Sequence, residues 1–125
     1  MPSARLLTTA FALGRLGFGI GLLARPEAVA SGWIGEDAGR SGVKVVLRGL
    51  GARDVVLSGG ALAALGEDDR LAHWLAAAIG CDLSDVVATL AAPADSLPPN
   101  ARWGTVALGG GSALAGAALL AGLKR

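Results

Sequence analysis

Six charged side chains lie well inside stretches otherwise apolar enough to cross a bilayer: Arg15 in the first, Arg48, Arg53 and Asp54 in the second, Asp82 and Asp85 in the third. A charge at the centre of a spanning helix costs about 2.5 to 3.5 kcal/mol on insertion scales, whereas each Leu, Ile or Val returns only about 0.3 to 0.6 kcal/mol. Such groups persist where they pair with one another or line a path for an ion, a proton or a polar solute. Three Arg stand against three Asp, and a planar guanidinium forks onto a carboxylate better than an ammonium does.

Other chemistry is poorly supplied. On the third stretch Trp74, Ala78, Asp82, Asp85 and Thr89 share a helical face, with His73, Ala77, Cys81 and Ser84 on the adjacent strip. His73 would stand about 13.5 Å along the helix from Asp82. One His and one Cys do not make a ligand set, so neither metal nor cofactor is expected. The run Gly109-Gly110-Gly111 lacks the lysine of a phosphate loop, and no nucleophile elbow, zincin or dinucleotide fingerprint occurs. The sequence is therefore read as that of a protein without enzymatic activity.

The elements that must position these charges follow from composition. The chain has 125 residues, 53% of them hydrophobic and 17% charged, with 20 Gly and a net charge of +1; its mean hydropathy is +0.57. A soluble domain carries about a quarter charged residues, so lipid is the expected solvent and the bilayer the first partner. Disorder and collagen-like repeats are excluded, a disulfide framework needs more than one Cys, and the balanced charge gives no field for nucleic acid.

Four spans are predicted, forming one all-α membrane domain over residues 1–125 and a four-transmembrane-helix bundle. They cover about 5–23, 43–66, 71–92 and 103–123, each near the ~20 residues that a ~30 Å core requires. Arg25-Pro26 stops the first and Pro93 the third. Gly66 is read as a C-terminal cap of the second, with Asp69 and Asn100 as N-caps of the third and fourth. Residues 24–42 form the one long connection, where Ala28, Val29, Trp33 and Ile34 at helical spacing suggest an interfacial piece with Trp33 at headgroup level. A rival reading makes the first stretch a secretory signal, with cleavage near Ala28-Val29-Ala30; Arg15 in its middle argues against that. Arg5, Arg70, Lys124 and Arg125 flank one side and Arg25, Arg40, Lys44 and Arg102 the other. That tie is broken toward cytoplasmic termini by the adjacent pair Lys124-Arg125.

Depth pairs the charges. Arg53 lies 13 residues before Gly66 and Asp82 lies 11 after Leu71, so both stand about 16 to 20 Å below the connecting turn. Asp85 is one turn deeper, within reach of an extended Arg48, and Arg15 is near the middle of its own stretch. The expected pairs are Arg53 with Asp82, Arg48 with Asp85 and Arg15 with Asp54. Around the helix Arg48, Arg53 and Asp54 point about 0°, 140° and 240°, so a second protomer or a membrane partner is expected to help cover them. Gly14, Gly17 and Gly21 on the first stretch and Gly109, Ser112 and Gly116 on the fourth have small-residue spacing that permits close helix packing. These two strips are expected to meet each other, or the same strip of a second copy.

Arg25-Pro26, the run Arg48-Gly49-Leu50-Gly51-Ala52-Arg53-Asp54-Val55-Val56-Leu57, and Trp74 with Asp82 and Asp85 resemble an uncharacterised family of small bacterial four-helix membrane proteins with a Gly-x-Arg-Asp motif in helix two. The likeness covers most of the chain and falls on Gly51, Arg53, Asp54 and Asp82. Ser58-Gly59 stands where a glycine commonly follows the Arg-Asp leucine directly, which leaves the charged positions intact. The resemblance implies an architecture and no reaction. Function is then expected to be that of a membrane scaffold or accessory subunit held by Arg/Asp pairs. The alternative is a small transporter, channel or proton-linked protein with an Arg/Asp-lined polar cavity.

Overall fold

The computed structural model describes residues 3–123, and among these all regular structure is helical. Five α-helices follow one another: α1 (Ala4–Ala24), α2 (Pro26–Ile34), α3 (Ser41–Ala63), α4 (Asp68–Ala91) and α5 (Pro99–Leu123), with a 3₁₀ turn at Gly35–Gly39. Three of them, α1, α4 and α5, are long and apolar enough to cross a membrane. Every 18-residue stretch of α3 contains Arg48, Arg53 and Asp54, which removes it from that group on composition.

Local chemistry sets the ends. Ser3 caps α1 by accepting a hydrogen bond from the Leu6 amide at 3.1 Å. Proline cannot continue a helix but fits the first turn of one, so Pro26 ends α1 and starts α2 after a single non-helical residue, Arg25. Gly35, at φ 76°, then stops α2 with a backbone that a side chain would oppose. Residues 24–42, expected as a connection with one interfacial piece, are thus ordered for most of their length.

Three expected caps move. α3 ends at Ala63 rather than at 66, and Gly66 lacks a positive φ, because the tight turn is closed instead by the Glu67 amide donating to the Ala64 carbonyl at 2.9 Å. Glu67 takes the N-cap place of α4, leaving Asp68 and Asp69 in its first turn, where carboxylates favour the positive end of the helix dipole. α5 begins at Pro99, with Asn100 already helical, since proline at the first helical position lacks only an amide that would have no partner there.

α1 packs antiparallel on α3, and α4 on α5; the two pairs meet through α3 and α4 and, more lightly, through α1 and α5. α1 and α3 approach closely where Gly19 crosses Gly51; Gly51 belongs to the Gly-x-Arg-Asp run, while Gly19 lies outside the expected small-residue strip. A Cβ at Gly51 would stand 2.6 Å from the Gly19 carbonyl oxygen, and one at Gly19 would stand 2.7 Å from that of Gly51. Gly14 and Gly17 face open space. Gly21 approaches Val29 of α2, while Gly109 and Gly116 lie against Asp82, Val86 and Ile79 of α4. The two small-residue strips are therefore not packed glycine on glycine, although Gly14, Gly109 and Ser112 line the same cavity. The fourth stretch folds back on the third, its hairpin neighbour, and α1 uses Gly19 for its own close contact.

Two apolar clusters close the ends. Ala12, Ala61, Ala64, Leu71 and Leu75 gather near the α3–α4 turn. Leu22, Ala30, Ala38 and Leu47 gather where α1 crosses to α3 beneath α2 and the 3₁₀ turn. The charges occupy the layer between these clusters.

Candidate functional site

Arg15 is the hub of that layer. Its guanidinium donates to Asp54 Oδ1 at 3.1 Å and, through its other terminal nitrogen, to Asp82 Oδ2. Its side chain is 8% exposed and those of both partners 7%, so this is a buried three-helix clamp tying α1 to α3 and α4. The Phe11 ring, one turn away, lies 5.7 Å from the guanidinium carbon and gives it an aromatic face.

Arg53 forms the second unit. Its two terminal nitrogens reach Asp85 Oδ1 and Oδ2 at 3.0 and 2.8 Å, a parallel fork, and one of them stands 3.6 Å from Asp54 Oδ1. The pair is half-buried, at 29% and 34% exposure. Arg53 Nε is buried and donates to no described residue. Two hydroxyls nearby turn back onto their own helices, Ser58 Oγ donating to the Asp54 backbone carbonyl at 2.5 Å and Thr89 Oγ1 to that of Asp85 at 2.7 Å.

Of the expected pairs, Arg15 with Asp54 is present in the geometry. Arg53 meets Asp85 rather than Asp82, and Arg48 meets no carboxylate. Depth allowed Arg53 either aspartate; direction around the helix axis selects one. Asp54, about 100° from Arg53, turns toward α1, whose Arg15 also takes Asp82. Arg48 lies about 140° from Arg53 on the same helix, so it turns to the end of α1, is exposed, and donates through Nε to the Leu23 carbonyl at 3.2 Å.

A partly open cavity of about 400 Å³ borders the charged layer. Arg15, Arg53, Asp54, Asp82 and Asp85 line it together with Phe11, Phe18, Leu50, Leu108, Gly109 and Ser112. Trp33 of α2 completes the wall: its indole N–H donates to Thr105 Oγ1 of α5 at 3.0 Å, holding α2 across the end of the bundle rather than leaving the ring beside it. Phe11, Arg15 and Phe18 fall at i, i+4 and i+7, a helical-face signal that was legible in the sequence. Trp33 gave none, because only the return of α2 over the α3 and α5 ends brings it in. His73 is exposed at the far end of α4, its Nδ1 2.7 Å from the Asp69 carbonyl. Among the described residues no three His, Cys, Asp or Glu side chains are grouped to hold a metal.

Comparison with protein-family models, with curated proteins and with solved structures finds no match.

Proposed function

We propose that the chain is a small integral membrane protein in which α1, α3, α4 and α5 all cross the bilayer as a four-helix bundle, and that its function is to bind and pass a small polar or charged solute at the Arg/Asp-lined cavity. The observation that carries this is the cavity itself. Charges serving as helix glue alone are best packed shut, whereas here five of them border about 400 Å³ of space, within the range of small-molecule sites. α3 becomes a span because its charged groups Arg53 and Asp54 are met by α1 and α4, leaving Val45, Val46 and Val56 exposed for lipid. Arg15 with Asp54 and Asp82 favours the scaffold reading for that buried unit, which fixes the register of three helices; the half-buried Arg53–Asp85 pair is the part open to a solute.

Counted along the sequence, Arg48 at the crossover end joins Arg25, Arg40, Lys44 and Arg102, against Arg5, Arg70, Lys124 and Arg125 among the residues that flank the opposite ends of the stretches. The positive-inside rule then favours a cytoplasmic crossover end, with the termini outside.

The test is water access at mid-bilayer. In a Cys81→Ala background, Ser112→Cys should react with a cationic, membrane-impermeant methanethiosulfonate reagent in proteoliposomes. Leu114→Cys, on a 74% exposed outer face, should not. Equal protection at both positions would leave the charges as glue and end the solute-site reading.

A further inference from the structure

The charges around the cavity do not balance. Arg15 and Arg53 supply two positive charges, while Asp54, Asp82 and Asp85 supply three negative ones. No other described element compensates: α5 presents Leu108, Gly109 and Ser112, α2 presents Trp33, and Arg48 is turned to the Leu23 carbonyl. In a low-dielectric layer one uncompensated charge is costly, and either a proton on one carboxylate or a single positive charge entering the cavity removes that cost.

The carboxylates are placed to receive it. Arg15 takes Asp54 Oδ1 and Asp82 Oδ2, leaving Asp54 Oδ2 and Asp82 Oδ1 without a hydrogen bond from a described side chain. Asp85 is the most exposed of the three. The remaining wall is apolar and aromatic, with Phe11, Phe18 and Trp33; such rings attract a cation through their faces and accept the hydrocarbon around it. A small metal ion would need several oxygen ligands or waters close about it, and the described carboxylates form no such group.

Resting on the solute-site reading above, we propose that the cavity takes a monovalent organic cation with an apolar or aromatic body, such as a substituted ammonium, held by the carboxylate excess of Asp54, Asp82 and Asp85 against the Phe11, Phe18 and Trp33 rings. Anions are refused by that excess. A neutral molecule of the same shape gains the apolar contacts without the charge.

The experiment uses the full chain in lipid nanodiscs and three probes of like size: benzyltrimethylammonium, its uncharged carbon isostere neopentylbenzene, and phenylacetate. Isothermal titration should show saturable binding of the ammonium, at least about tenfold tighter than the isostere, the scale expected of one desolvated charge interaction. No binding of phenylacetate is expected. Asp85→Asn balances the cluster and should weaken the ammonium about tenfold or more on the same scale while leaving the isostere unchanged. Because Asp85 also holds Arg53, a second variant, Ser112→Lys, supplies the missing positive charge without breaking a pair and should abolish ammonium binding. Phenylacetate binding as well as or better than the ammonium would overturn the cation assignment and leave the solute-site reading standing. If none of the three probes bound and Ser112→Cys were unreactive, both would fall. Unchanged ammonium affinity in both charge variants would also overturn the assignment.

Discussion

Arg15 and Arg48 have the same side chain and opposite importance. Removing Arg15 leaves Asp54 and Asp82 buried without their main cation, and breaking a buried pair in this way costs about 3 to 5 kcal/mol. Arg15→Met should approach that loss, read as reversible unfolding in mixed micelles. Asp82→Asn should cost less than half as much, because Arg15 keeps Asp54 and the cluster passes from one excess negative charge to neutral. The double variant should be more stable than the sum of the two losses predicts; strict additivity would show that the two side chains do not interact. Arg48→Gln, exposed and bonded only to the Leu23 carbonyl, should stay within about 0.5 kcal/mol of the parent, as surface changes do.

Helices meet here through particular glycines rather than through glycine content. At the α1–α3 crossing a methyl group on Gly51 would press on a backbone oxygen at 2.6 Å and on Leu22 Cβ at 2.9 Å, neither of which can swing aside. Gly51→Ala should therefore separate the helices at a cost of about 1 to 3 kcal/mol. Gly17→Ala, which meets nothing within 4 Å, should be neutral or gain up to about 1 kcal/mol of helix propensity. Equal losses at the two sites in the same unfolding measurement would contradict the crossing. Along α5, Gly116→Leu should disturb the contact with Ile79, whereas Leu114→Ala on the outer face should do little. Both effects are within one chain, so they should appear as thermal stability whatever the oligomeric state.

At the scale of the molecule, the proposed four-span arrangement makes α3 depend on its neighbours, since α1, α4 and α5 alone are long and apolar enough to cross a membrane. Alone it brings Arg48, Arg53 and Asp54 into the bilayer, at about 2.5 to 3.5 kcal/mol for each central charge, and should insert poorly when fused to a reporter. It should insert with normal efficiency when α1 and α4 are present. Efficient insertion of isolated α3 would show that the ion pairs are not needed for membrane assembly. The case for a second protomer rested on charges pointing three ways from this helix, and α1 and α4 of the same chain meet two of them while Arg48 turns to the end. The charges of α3 then give no reason for self-association, so Arg48→Gln should leave the mass of the nanodisc-embedded particle unchanged. A shift in that mass would restore the charge-based argument.

Hydropathy and proline fixed which stretches are helical. Four of the five helices lie within a few residues of their expected ranges, because apolar length and helix breakers act locally, and the ionisable residues of the cavity could be named because charge inside an apolar run is a local observation too. The helix ends shifted by up to four residues where several residue types compete for one turn. Arg53 meeting Asp85 instead of Asp82, and Arg48 leaving the layer, depended on rotation about helix axes, which is set by all neighbours at once. The glycine crossing at Gly19 and Gly51 was chosen likewise, from among many glycines with permissive spacing, by the way α1 lies on α3. Trp33 reached the cavity only through the return of α2 across the bundle end. Sequence by itself determined the inventory of charges and the helices that carry them; the tertiary structure decided which charges face one another, since pairing depends on angle as well as depth and the angle belongs to the packed molecule.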